Sequence, residues 1–308
     1  MLSMQKWVCL LAVFVICAPS AYAESPAFFS MPDSAVIFAT YDEVRIVTPN
    51  GAETIKPPAE VGANHGYFAY PSISPRGDLI AWGFATGVQE KRARFTLGVY
   101  SLAERKWKTH GDFGDIGNPV FSPDGSKIAF VAEQQNKRDL LIFDVANEVI
   151  TNAPYLNGIP QRTAALRSWS PDGKRFAIEI QQGEKKLVAV LDISTGNVQA
   201  LGEGFNPSWS PNGEWIAYFD PAGAKCLVVH PDGTGSKVVK KVSQLLISYR
   251  RFGWGGPVWS PDSRQMLLSE MKGDGDYIDV VLLDLANGRE TKKVRNTLPV
   301  FGWARWHR

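Results

Sequence analysis

The stretch Trp169-Ser170-Pro171-Asp172-Gly173-Lys174-Arg175-Phe176-Ala177 decides the fold, because the chain repeats it. Sister copies run Pro71-Ser-Ile-Ser-Pro-Arg-Gly77, Pro119-Val-Phe-Ser-Pro-Asp-Gly125, Arg167-Ser-Trp-Ser-Pro-Asp-Gly173, Pro207-Ser-Trp-Ser-Pro-Asn-Gly213 and Pro257-Val-Trp-Ser-Pro-Asp-Ser263. Their second prolines, Pro75, Pro123, Pro171, Pro211 and Pro261, are spaced by 48, 48, 40 and 50 residues. A period of about 40–50 residues is that of one four-stranded propeller blade.

Each copy has a physical logic. Proline presets φ at about −65° for the second position of a type I turn, Asp or Asn hydrogen-bonds its own backbone, and Gly takes the left-handed position that follows. The strands after the turns are apolar and rich in β-branched and aromatic residues, as in Leu79-Ile-Ala-Trp-Gly and Lys127-Ile-Ala-Phe-Val. Further strands are expected at 139–145, 186–193, 225–230 and 277–285. The acids Asp124, Asp172 and Asp262 and the amide Asn212 have a complete explanation inside their turns, which are expected at the far rim of separate blades.

The chain ends supply the sixth blade. Met31-Pro-Asp-Ser34 begins a further copy, and Pro299-Val-Phe-Gly-Trp303 matches an opening strand. The expected fold is therefore all-β: a six-bladed β-propeller of four-stranded antiparallel blades, closed by pairing of the C-terminal strand with the N-terminal blade. Closure removes exposed sheet edges. Pro26-Ala-Phe-Phe-Ser30 is an alternative inner strand for that blade. One column of the repeat reads Ile73, Phe121, Trp169, Trp209, Trp259 and Phe301; it is expected to pack between blades, with an aromatic binding ring as the alternative.

Residues 1–23 read as a secretory signal peptide: Lys6, an apolar run from Trp7 to Ala18, then Ala21-Tyr22-Ala23. The run is short of the roughly 20 residues that a spanning helix needs. Cys17 follows the bulky Ile16, which argues against lipidation. Residues 24–308 then form a single domain, periplasmic or secreted, with no integral membrane segment. Signal removal takes one of the 33 basic residues and none of the 31 acidic ones, so no strong net charge points to nucleic acid. Of the three cysteines only Cys226 remains, which rules out an internal disulfide.

The Trp-Ser-Pro-Asp-Gly-Lys-Arg-Phe-Ala run at 169–177, with its sister copies, resembles the WD40-like repeats that form the propeller of TolB-type periplasmic proteins and of several propeller-bearing peptidases. The resemblance spans roughly residues 31–306. TolB-type proteins carry a small α/β domain before the propeller, whereas about seven residues separate the expected cleavage site from the first copy here, so the resemblance is expected without that N-terminal domain. It implies a periplasmic propeller that binds another envelope protein.

Catalytic signals are sparse. No Gly-x-Ser-x-Gly run occurs. Of four histidines, His110 and His230 fall in or beside outer strands, His307 is penultimate, and only His65 is expected near the channel. Asp115, Glu203 and Asn206 precede inner strands and are the candidates for a metal-dependent hydrolase or lyase. The expectation is a non-enzymatic, monomeric scaffold with no cofactor and no metal, binding an envelope protein or peptide; a small-ligand or glycan-binding propeller is the other alternative.

Binding residues on a propeller concentrate in the loops that enter the inner strands. These are expected at 62–70, 111–118, 156–166, 201–206 and 243–256. They offer His65, Tyr67 and Tyr70, then Arg162 and Arg167, then Tyr249, Arg250, Arg251 and Trp254, the residue types of interface hot spots. Arg167 stands where the other four copies quoted above have Pro, and could receive a carboxylate or pair with Asp115 or Glu203.

Overall fold

The computed structural model describes residues 34–39, 43–48, 50–58, 70–89, 92–153, 164–242, 256–272, 277–296 and 300–305. The signal-peptide segment 1–23 and the alternative strand 26–30 lie outside them. Each repeat copy folds as one antiparallel sheet. The first blade holds β1 (Ser34–Ala39), β2 (Val44–Thr48) and β3 (Gly51–Ile55); the second holds β4 (Ser72–Ile73), β5 (Leu79–Gln89), β6 (Arg92–Ser101) and β7 (Lys106–Phe113). The third comprises β8 (Val120–Phe121), β9 (Lys127–Gln134), β10 (Lys137–Asp144) and β11 (Val149–Asn152). The fourth comprises β12 (Ala164–Trp169), β13 (Arg175–Gln182), β14 (Lys185–Asp192) and β15 (Val198–Glu203). The fifth has β16 (Phe205–Trp209), β17 (Ile216–Phe219), β18 (Lys225–Val229) and β19 (Lys237–Lys241), and the sixth β20 (Val258–Trp259), β21 (Gln265–Lys272), β22 (Tyr277–Asp284) and β23 (Glu290–Asn296). The last strand, β24 (Val300–Arg305), lies beside β1 in register from Ser34↔Arg305 to Ile37↔Gly302. The fold is thus an all-β six-bladed propeller of four-stranded antiparallel blades, and no helix occurs among the described residues.

The apolar runs are explained by burial on both sheet faces. In β9, Ile128 and Phe130 pack toward the second blade while Ala129 and Val131 pack toward the fourth. The same division holds around the ring, giving one apolar core per inter-blade space. Ile37 and Ile46 of the first blade meet Ile80 and Trp82 of the second; Ala177 and Val188 of the fourth meet Trp209 and Ile216 of the fifth. Val36 and Phe38 of the first blade meet Leu267 and Val280 of the sixth. The inner strands touch in sequence, β4 with β8, then β12, β16, β20, β24 and back to β4. Gly302 on β24 permits that last approach: a Cβ there would sit 2.7 Å from Ile73 Cγ2 and 3.1 Å from Ile37 Cγ1.

The repeated turn is locked by its serine as much as by proline and glycine. Ser74, Ser122, Ser170, Ser210 and Ser260 are all buried. Each backbone carbonyl accepts from the N–H three residues on, as in Gly125 N to Ser122 O at 2.9 Å. Each hydroxyl accepts from the N–H five residues on, as in Lys127 N to Ser122 Oγ at 2.9 Å, and donates to an Asp or Asn side chain of the turn, as in Ser210 Oγ to Asn212 Oδ1 at 2.7 Å and Ser122 Oγ to Asp124 Oδ1 at 2.6 Å. Those bonds hold the Asp124 carboxyl down at about 2, with the Ser122 hydroxyl the leading cause and the Ser126 N–H next. Where Arg76 replaces the acid, Asp78 takes over and accepts from Ser74 Oγ at 2.6 Å. Pro75, Pro123, Pro171, Pro211 and Pro261 line the central cavity, so the turns ring the axis and do not lie at a far rim: each joins an inner strand to its neighbour.

The aromatic column joins blades. Trp209 and Trp259 are each 5% exposed, and Phe121 is buried. Trp169 Nε1 donates to Val120 O of the preceding blade at 3.1 Å, and Trp259 Nε1 to Ser208 O at 2.9 Å. The Arg175 guanidinium lies 4.9 Å from the Trp209 ring centroid. Edges of Ile73, Phe121, Trp169, Trp209 and Trp259 also reach the central cavity, so packing and channel lining are shared by one set of side chains. The Phe301 side chain lies outside the described set.

Candidate functional site

The inner strands surround a cavity of about 540 Å³ on the propeller axis, within the size range of ligand pockets. Its wall reads as rings. Tyr70, Asn118, Asn206 and Gly256 stand at the start of the inner strands; Pro71, Pro119, Pro207 and Pro257 follow, with Arg167 in the place of the missing proline. Then come Ser72, Val120, Ser168, Ser208, Val258 and Gly302, and finally the turn prolines. Proline has one fixed backbone angle and Ser, Val and Gly are small, so the wall is stiff and open.

A β-bulge aims Arg167 at this space. Leu166 pairs with Ile178 and Ser168 with Ala177, which leaves Arg167 as the extra residue of β12. Its Nη2 is 3.2 Å from Glu179 Oε2 on β13, and the two side chains are 14% and 7% exposed. Lys186 Nζ on β14 lies 2.8 Å from the other oxygen, Oε1. The Asn206 backbone N–H, on the next blade, donates to Glu179 Oε2 at 3.1 Å. Asn206 is buried and adopts φ of 54°, inside a second irregularity where Asn206 and Pro207 oppose Tyr218 alone. Burial pushes the Glu179 carboxyl up, but Arg167, Lys186 and the Asn206 N–H outweigh it and hold the group at about 2. Glu179 therefore stays ionised at neutral pH, and the three side chains together carry one net positive charge. A Tyr70 N–H to Asn118 Oδ1 bond of 3.0 Å ties the second blade to the third at the same end.

Of the sequence candidates, Tyr70 and Arg167 are both on the cavity wall. His65, Tyr67, Arg162, Tyr249, Arg250, Arg251 and Trp254 lie outside the described residues. The expected acidic partners of Arg167 are taken by other cations: Asp115 by Arg138 at 3.1 Å and Glu203 by Lys185. The partner of Arg167 is Glu179 instead. Its signal was present, since it is a lone acid in the apolar run Arg175-Phe-Ala-Ile-Glu, aligned with Val131 one blade earlier. The expected entering loops are also shorter than drawn, because residues 111–113, 164–166 and 201–203 belong to strands. Of Asp115, Glu203 and Asn206, only Asn206 lies on the cavity wall; no group of three or more His, Cys, Asp or Glu side chains able to hold a metal occurs among the described residues. No helix among them is long and apolar enough to cross a membrane.

Residues 59–255 match the family described as TolB beta propeller domain. A Bacillus subtilis protein described as the uncharacterized peptidase YuxL is 24% identical over 151 residues, 46% of this chain and 22% of that protein, so the chain matches about a fifth of that relative's length. TolB from Acinetobacter baumannii superposes with a TM-score of 0.65 at 18% identity, over 88% of this chain and 66% of that one. A putative TolB from Agrobacterium tumefaciens gives 0.60 at 18% identity, over 86% and 90%. At such identities the likeness to the solved structures is one of fold.

Proposed function

Since this chain belongs to the TolB beta-propeller domain family, we propose that it is an exported, non-catalytic scaffold that binds an envelope protein or peptide at the mouth of its channel. The observation that carries this reading is the chemistry of the wall. Its described residues include no Asp, Glu, His, Lys or Cys; Tyr70 and Arg167 are its ionisable side chains. General acid–base and nucleophilic catalysis draw on groups tuned to titrate near neutral pH and placed within hydrogen-bond reach of substrate. A wall of proline, serine, valine and indole edges instead offers shape, apolar surface and a few hydrogen bonds, which are the means of recognition. The peptidase name belongs to a relative matched over a fifth of its length, and this sequence has no Gly-x-Ser-x-Gly. Export follows from the leader pattern at residues 1–23.

Photo-crosslinking in the intact native envelope tests the proposal. A photoreactive residue at position 70, on the cavity wall, should give a discrete adduct with one envelope protein. The same residue at Val149, exposed on outer strand β11, should not. Equal adduct patterns from both positions, or none from position 70, would overturn the reading.

A further inference from the structure

Arg167 and Glu179 are two departures from the repeat that meet each other. The other described copies have Pro at the first position, and the aligned residue one blade before Glu179 is Val131. A buried ion pair is a weak source of stability compared with apolar residues of similar volume, and the Asn206 N–H and Lys186 already engage both Glu179 oxygens, so the fold does not require Arg167. Nor does the pair use up its cation. Glu179 takes a single bond from the Arg167 fork, and its second oxygen is engaged by Lys186. Arg167 Nε is buried in the wall with no acceptor, and Ser72 Oγ, on the same cavity wall, is buried without a partner as well. Buried polar atoms with no partner are uncommon, and each costs about 1–3 kcal/mol unless something supplies the missing bond. Arg167 is also the one formal charge on the described wall, whose other side chains are Pro, Ser, Asn, Ile, Val and aromatic residues.

We propose that the channel holds a carboxylate of its bound partner, received by the Arg167 guanidinium, with Glu179 and the bulge of β12 fixing that guanidinium in place. The inference rests on the peptide-binding reading above and names the chemical group that the channel selects. Two sources share this chemistry, a free chain end and an acidic side chain. Glu179 is a positioning residue: with Lys186 and the Asn206 N–H satisfying its oxygens, it orients the fork without neutralising the site, whose net charge remains positive.

The test uses the purified full chain and three probe peptides: acetyl-Ala-Ala-Ala as the free acid, the same peptide amidated, and amidated acetyl-Ala-Asp-Ala. Trp169, Trp209 and Trp259 border the cavity, so intrinsic fluorescence reports binding. The free acid should bind more tightly than its amide by about tenfold, the scale of one charge-assisted hydrogen bond. Arg167→Gln should erase that ratio, while Arg167→Lys should keep part of it, having the charge but not the fork. An Asp-bearing amide that binds like the free acid assigns the site to any carboxylate; one that binds like the plain amide assigns it to chain ends. The inference fails if acid and amide bind the parent equally, if neither binds, or if the ratio survives in Arg167→Gln. Should Arg167→Gln not melt cooperatively, the parent ratio and Arg167→Lys decide. Failure here with the position-70 adduct intact leaves the scaffold reading standing, and the reverse result leaves a carboxylate site without the proposed partner.

Discussion

Two neighbouring segments of the fourth blade obey different rules. The turn from Ser170 to Arg175 is built as in every described copy, with a buried serine hydroxyl bonded to the N–H five residues on and to the turn side chain. The inner strand just before it, β12, departs from the other described copies: it has Arg167 where they have Pro, at a bulge, and pairs that residue with an acid on β13. The turn lacks freedom because five backbone and side-chain bonds and a left-handed glycine must all be met at once. A wall position that faces the cavity has fewer neighbours to fit than a turn position, so the repeat constrains it less. Repeated positions therefore report folding, and the departure at the wall is where the proposed carboxylate site lies.

The largest effect should come from breaking the ring. Truncation after Asn296 removes β24, exposing the apolar edge of β1 and leaving Ile73 without its neighbour at Gly302. The truncated chain should lose cooperative melting or fall in Tm by about 10 °C or more in a thermal scan. An unchanged Tm would mean that the first blade is completed by some other strand. A smaller loss is expected within one inter-blade space. Trp209→Ala removes an indole that is 5% exposed, donates its Nε1–H to Gly213 O at 3.4 Å and is covered by Arg175, while the backbone N–H bond from residue 209 to Ser168 Oγ on the fourth blade stays. Chemical denaturation should show a loss of about 3–5 kcal/mol. A variant as stable as the parent that no longer captures its partner would make the aromatic column a ligand surface first and a core second.

The turn side of this comparison was legible in the sequence because its constraints are local. Pro123, Asp124 and Gly125 each act within a few residues, and their period counted the blades before any contact was known. Strand limits were readable to within about two residues, as at Lys225–Val229, since apolar runs stop where the turns begin. The serine carries no such local signal: its bond to the residue five places on joins strand to turn, which no turn signature contains. The wall was legible only in half. Arg167 announced itself by replacing a proline, but its partner is 12 residues away and is brought close by a bulge that no propensity encodes. The placing of the turn prolines around the axis depended on which strand each blade turns inward, a property of the closed ring.

The central claim, that the fourth blade departs from the repeat for a ligand and not for the fold, is tested most directly by restoring the repeat. Combining Arg167→Pro with Glu179→Val gives the fourth blade the residues that stand at Pro119 and Val131 one blade earlier, and leaves Lys186, 39% exposed, free to turn to solvent. Replacing a buried ion pair by apolar residues is often neutral or stabilising. Glu179→Val also takes the acceptor from the buried Asn206 N–H, which costs about 1–3 kcal/mol, so the double variant should melt no more than a few degrees below the parent while its preference for the free-acid peptide over the amide disappears. A fall in Tm as large as that of Trp209→Ala, or a carboxylate preference that persists, would contradict the claim.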